Sequence, residues 1–260
     1  MSLASPTWQR LAIGPRARAA GIHLLISATL AAAAAGLVFG LWYPGFYREV
    51  SGGRELFLLL TGVDVVLGPM LTFMVFNLAK GWAHLRRDLA VIGVVQLAAL
   101  VYGLHSVYAA RPIALVFEVD RFRVIRTADV YEPDLPKVRP EYRSQPLTRP
   151  RLLGTRAPAP GDERTEAVFM GLSGINRANR PLFWQPYANS VPDVLAKSRP
   201  VSVLLDQYPG RGTELRGRLA ELGADASSAR FTPLMARGDW VLVLNAGGEV
   251  LGPIRADGFF

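Results

Sequence analysis

The chain has 260 residues, no cysteine and a formal charge of +8 at pH 7, and half of its residues are hydrophobic. This excludes a disulfide framework, a thiolate nucleophile and any cysteine-held zinc or iron–sulfur centre, and the composition is too apolar for a disordered chain. The charge is unevenly spread: residues 1–108 hold eight Lys/Arg and four Asp/Glu, residues 109–260 hold 21 and 17, and 15 of the 19 prolines lie in the second part.

Residues 1–20 are polar and basic, with Arg10, Arg16 and Arg18. An apolar run follows from Gly21 to Tyr43, broken only by His23, Ser27 and Thr29. As a helix it spans about 34 Å, enough to cross a bilayer core. It exceeds the apolar stretch of about 7–15 residues usual in a cleaved signal, so it is expected to be retained. Leu56–Phe76 is a second run, interrupted by Asp64 and Pro69, and Leu89–Val107 a third, with Gln96, His105 and Ser106 as its main polar members. Three such runs predict membrane spans at about 21–43, 56–76 and 89–107, where a proline is better tolerated than in a soluble helix. The loop of residues 44–55 holds Arg48 and Arg54 beside glutamates, and the loop of residues 77–88 holds Lys80, Arg86 and Arg87. The positive-inside bias places the N-terminal segment and the second loop in the cytoplasm and residues 109–260 on the far, periplasmic side. Trp42, Tyr43, Tyr47 and Trp82 sit near the predicted interfaces, where amphipathic rings are favoured.

Residues 109–260 read as an α+β domain with a largely antiparallel sheet and short helices. Ile113–Val119 and Phe122–Arg126 are strand-like and close enough for a hairpin. Residues 132–160 carry seven prolines and predict an irregular crossing. Helices are expected at Arg164–Leu172, Pro192–Lys197 and Thr213–Leu222, the last stopped by Gly223. Val201–Leu205 reads as a strand. So do Phe231–Met235, Trp240–Leu244 and Glu249–Ile254, the last two joined across Asn245–Gly248.

Several segments stand out together. They are Gly21-Ile-His-Leu-Leu25, Leu41-Trp-Tyr-Pro44, Ser51-Gly-Gly-Arg-Glu-Leu56, Gly62-Val-Asp-Val-Val-Leu-Gly-Pro69, Arg86-Arg-Asp-Leu89 and Val116-Phe-Glu-Val-Asp-Arg-Phe122. In this order and spacing, over about residues 20–126, the series resembles the TfpX/TfpZ family of type IV pilin accessory proteins. The resemblance implies an inner-membrane protein that assists assembly of a type IV pilin, with the pilin and the assembly platform as partners. It carries over no catalytic residue.

Asp64 is the sharpest single residue, because a carboxyl inside a span costs about 2.5–3.5 kcal/mol to insert and is a functional candidate by default. Counting depth along antiparallel spans sets it opposite Tyr102, with His105 a turn further out, so either could satisfy it by a hydrogen bond. The competing reading is structural, a lock between spans two and three. Ala32, Gly36 and Gly40 form a small-residue face on span one that permits close helix approach. That face either packs within the bundle or receives the apolar helix of a pilin. Ser51–Glu55 reads as a helix start and Asp88 as a cap. Gln96 is expected to hydrogen-bond a neighbouring helix.

No histidine lies beyond residue 105, which removes Ser-His-Asp, Cys-His and histidine–metal chemistry from the C-terminal domain. No cofactor, metal or nucleic-acid partner is expected. The expectation is a non-enzymatic, chaperone-like accessory protein of pilus biogenesis. The alternative is a membrane sensor with a ligand-binding outer domain, disfavoured because no cytoplasmic segment exceeds about 20 residues, which leaves little room for an output domain.

Overall fold

The computed structural model describes residues 13–77 and 81–260. Residues 1–12 with Arg10, and Lys80 of the second loop, lie outside the described residues. The chain forms two compact units. One comprises residues up to Gly40 together with Arg54–Tyr108, and the other comprises Leu41–Gly53 together with Ala109–Phe260.

The first unit is built from three long helices, each long and apolar enough to cross a membrane. They are α1 (Ile13–Leu37, continued by a π-helical turn Val38–Trp42), α2 (Gly53–Val75) and α3 (Trp82–Ala109). Most of their leucines, isoleucines and valines are exposed, as expected of helices solvated by lipid. The covered positions recur at helical spacing. On α1 they include Ala34 and Val38, on α2 Phe57, Thr61, Gly68 and Thr72, and on α3 Leu85, Gly103 and Val107. Close approach there depends on small residues, since a Cβ at Gly103 would press on Leu60.

The second unit is a mixed domain around one sheet, an α+β architecture as the sequence implies. Its elements after α3 are β1 (Pro112–Glu118), β2 (Arg121–Arg126), β3 (Arg151–Thr155), α4 (Asp162–Leu172), β4 (Trp184–Pro186), α5 (Val191–Lys197), β5 (Arg199–Pro200), α6 (Val201–Gln207), α7 (Gly212–Glu221), β6 (Arg230–Ala236), β7 (Gly238–Leu244) and β8 (Val250–Ile254). The strand order is β4-β3-β1-β2-β6-β7-β8, with β5 beside β6. The pairs β1/β3 and β2/β6 are parallel and the others antiparallel. β1 is buried along its whole length, because apolar clusters cover both faces of the central sheet. Leu115 and Phe117 join Phe122, Leu234 and Trp240 on one face, while Ala114 and Val116 join Ile125, Leu153 and Trp184 on the other.

In the helical unit Asp88, expected to cap the third span, lies inside α3, which already begins at Trp82. Three local readings of the mixed domain change. Val201–Leu205 is helical, not a strand. Pro200 is its N-cap residue, and Val201 and Leu204 are the buried pair, three apart; a short apolar run does not declare its period. The first strand stops at Glu118, and Val119 enters the hairpin turn with φ 56°. The proline-rich stretch hides β3, which pairs Leu115 with Leu152 in a parallel register set by distant contacts.

The segment Leu41–Gly53 belongs with the mixed domain. Val50 is fully buried in its core, and the Arg237 N–H donates to the Val50 carbonyl at 2.8 Å. Tyr43 is also fully buried, and burial pushes its phenol up to about 12. The Ser51-Gly52-Gly53 signature follows from this docking. Gly52 has φ +68°, which a side chain resists, and a Cβ on Gly53 would run into the Tyr43 ring. Ser51, expected to help open the next helix, instead ends the turn Tyr47–Val50.

Candidate polar site in the helical unit

The covered faces of the three long helices carry an unusual share of polar groups. His23 on α1 and Thr72 on α2 share a hydrogen bond of 2.6 Å. Gln96 on α3 donates from Nε2 to the backbone carbonyl of Asp64 on α2 at 3.0 Å. This carbonyl lies one residue before that of Val65, which loses its helical N–H partner because residue 69 is proline. Gly68 makes the contact possible, since any side chain there would collide with the Gln96 amide. The amide oxygen of Gln96, Oε1, is buried without a partner among the described residues. Thr61 satisfies its hydroxyl within its own helix, donating to Phe57 O at 2.8 Å.

Between these groups lies a cavity of about 250 Å³, lined by His23, Ser27 and Ala31 of α1, Thr61 and Asp64 of α2, and Gln96 and Leu100 of α3, with further leucines. The Asp64 carboxyl is half-buried against it and engages no hydrogen bond or ion pair among the described residues. Asp64 is thus brought together with Gln96 and not with the partners expected from depth. Tyr102 is 72% exposed, and His105 is exposed as well. Depth counting fixes a level but not a direction around the helix axis. The face of α3 turned to α2 runs through Gln96, Leu100, Gly103 and Val107, and Tyr102 and His105 lie about 100° and 160° away from Gly103.

The small-residue face takes a different place. Ala32, Gly36 and Gly40 are all exposed, and a Cβ at Gly36 or Gly40 would meet nothing within 4 Å. The stripe lies roughly 120–160° around α1 from the covered residues Ala34 and Val38. It therefore does not pack this three-helix unit together. The helical unit has two distinct polar or small-residue features on opposite sides of α1: an inward cavity with an unsatisfied carboxyl, and an outward stripe open to close backbone approach. Gln96 bonds a neighbouring helix as its sequence context implied, whereas His23 stood in the sequence only as an isolated polar residue in an apolar run and Thr72 was not singled out. Their common signal was period, since His23 shares its face with Ser27 and Ala31, and Gln96 with Leu100 and Gly103.

Three groups of similarity bear on this site. The family model described as "Fimbrial assembly protein FimB" matches residues 12–52, which include α1 with its stripe and the docked segment to Gly52. A "Fimbrial assembly protein, serogroup I" of Dichelobacter nodosus is 32% identical over 246 residues, covering 94% of this chain and 96% of the relative. The serogroup E1 protein of the same organism is 31% identical over 246 residues, with the same coverage. The protein of serogroups C1 and C2 is 42% identical over 121 residues, 46% of this chain and 92% of the relative. No solved structure matches.

Proposed function

Because the chain belongs to the FimB family of fimbrial assembly proteins, we propose that it assists the assembly of fimbrial subunits by binding them, in a chaperone-like and non-enzymatic role. The resemblance to the TfpX/TfpZ accessory proteins supports the narrower reading that the subunit is a type IV pilin and the membrane is the bacterial inner membrane. The basic residues Arg16, Arg18, Arg86 and Arg87 support a cytoplasmic N-terminus, which puts the mixed domain in the periplasm. The assignment agrees with the docked segment: two spanning helices separate Leu41–Gly53 from Ala109–Phe260 and return the chain to the same side, as their shared core requires.

The observation that carries the mechanism is the uncovered stripe Ala32, Gly36 and Gly40. In lipid there is no hydrophobic drive between helices, so association relies on close backbone packing at small residues. An outward stripe that no described residue covers suits a long apolar helix of a subunit waiting in the membrane. Asp64 and its cavity, facing the other way, suit a donor group on a helix entering the bundle. The mixed domain would contact the subunit's head or the assembly platform. The test is Gly36→Leu with Gly40→Leu in the native chromosome. The reading expects normal levels of the variant protein, severalfold fewer surface fimbriae and loss of subunit crosslinking to α1. Unchanged crosslinking at normal protein level would overturn it.

A further inference from the structure

Helix α4 of the mixed domain is turned inside out. None of its 11 residues is buried, and Val168, Phe169 and Leu172 are 58%, 65% and 80% exposed. A helix on a soluble domain ordinarily turns such residues inward. This one is held by ion pairs instead: Arg156 to Glu163 at 2.7 Å and Arg180 to Glu166 at 2.9 Å. Its Ala167–Gly171 edge forms one wall of a groove of about 310 Å³. The other walls are the β1–β2 hairpin tip and the loop at Asn176 and Arg177.

The charges lining this groove are not evenly matched. Glu118, almost fully buried, accepts from Arg123 Nε at 2.7 Å and from the Ala178 N–H at 2.9 Å. Asp120 accepts from Arg121 at 2.7 Å. Both acids are therefore committed to arginines of the same hairpin. Arg177 is the third cation, half-buried, and its guanidinium makes no hydrogen bond or ion pair among the described residues. At the tip, Val119 is 56% exposed with φ 56°, a conformation that a β-branched residue adopts only under constraint.

We propose that this groove docks a protein segment that carries a carboxylate beside apolar side chains. The carboxylate pairs with Arg177, whose planar fork matches it in two hydrogen bonds. The apolar neighbours cover Val168 and Leu172, an uncovered apolar patch rimmed by charge of the kind that marks contact surfaces. The groove lies wholly within the mixed domain, and the proposal stands apart from any helix held by the membrane unit.

The test uses the full chain purified in detergent micelles, titrated with a fluorescent peptide alternating aspartate and leucine and with its lysine–leucine counterpart. Saturable binding of the acidic peptide is expected, weakened about tenfold by Arg177→Gln and also weakened by Leu172→Ser. Leu172 is so exposed that its replacement leaves the fold intact. Arg164→Gln removes the same charge from α4, outside the groove lining, and should leave binding unchanged. Equal binding of both peptides, equal effects of Arg164→Gln and Arg177→Gln, or no effect of Leu172→Ser would each overturn the proposal. So would Arg177-dependent binding to anionic lipid vesicles without binding of the acidic peptide.

Discussion

The two units treat an acid set among apolar residues in opposite ways. In the mixed domain Asp134 is 1% exposed and is gripped by both arms of Arg180, at 3.0 and 3.1 Å, while Arg180 also stacks on Phe183 and reaches Glu166. In the helical unit Asp64 has the Gln96 amide on its backbone and, among the described residues, no partner on its carboxyl. The environment of Asp64 is the harsher of the two, since lipid offers no water to an unmet polar group. An acid that is fully paired in place serves the fold. For one left unpaired beside a cavity, we propose a role toward what enters that cavity.

The contrast can be broken most forcefully at Asp134. Asp134→Ala leaves Arg180 buried with only Glu166, and should destabilise the mixed domain by about 3–5 kcal/mol. Denaturant unfolding followed by the fluorescence of the buried Trp184 and Trp240 measures this. Val50→Ala tests whether the segment after α1 truly belongs to that domain. It should cost about 2 kcal/mol in the same assay, and no effect would separate the segment from the core. In the helical unit the expected effects are smaller. Gln96→Leu removes a single interhelical hydrogen bond worth about 0.6 kcal/mol, read as a small loss in resistance to unfolding in micelles. Asp64→Asn should leave stability almost unchanged while lowering fimbriation severalfold. A large stability loss there would make Asp64 structural, like Asp134.

The smallest effect is electrostatic. The Arg156 guanidinium and the Ala159 N–H hold the Glu163 carboxyl down at about 2 from its ordinary 4.5. A depressed carboxyl contributes its stabilisation above its unfolded value and loses it as pH falls through the folded one. The protection factors of the α4 amides, corrected for the intrinsic exchange rate at each pH, should therefore fall between pH 4.5 and 2, and Arg156→Gln should remove that dependence. The pair is partly exposed, so the change stays below about 1 kcal/mol.

Much of this architecture was legible in the sequence, and for stated reasons. Long apolar runs, the short β-branched runs of β1 and β7, and Gly223 after α7 are local signals. The α6 segment was misread because five apolar-rich residues fit either period. Strand β3 escaped because its pairing with β1 is set by residues nearly 40 positions away. At the candidate site, chemistry was legible and direction was not. Asp64 announced itself as a charge in an apolar run, but the choice of Gln96 over Tyr102 depends on rotation about α3. Likewise the small-residue stripe was plain in the sequence, while its outward orientation required the positions of Ala34 and Val38. The docking of Leu41–Gly53 into the mixed domain had only the Ser51-Gly52-Gly53 signature to mark it.

The central claim is that the outward stripe of α1 receives a subunit's apolar helix. A photo-crosslinking residue placed at Gly36 in living cells tests it directly, with the same probe at the covered position Val38 as the internal control. The account predicts a crosslinked fimbrial subunit from position 36 and little or none from position 38. Capture of no subunit from position 36 at normal protein level, or equal capture from both positions, would contradict it.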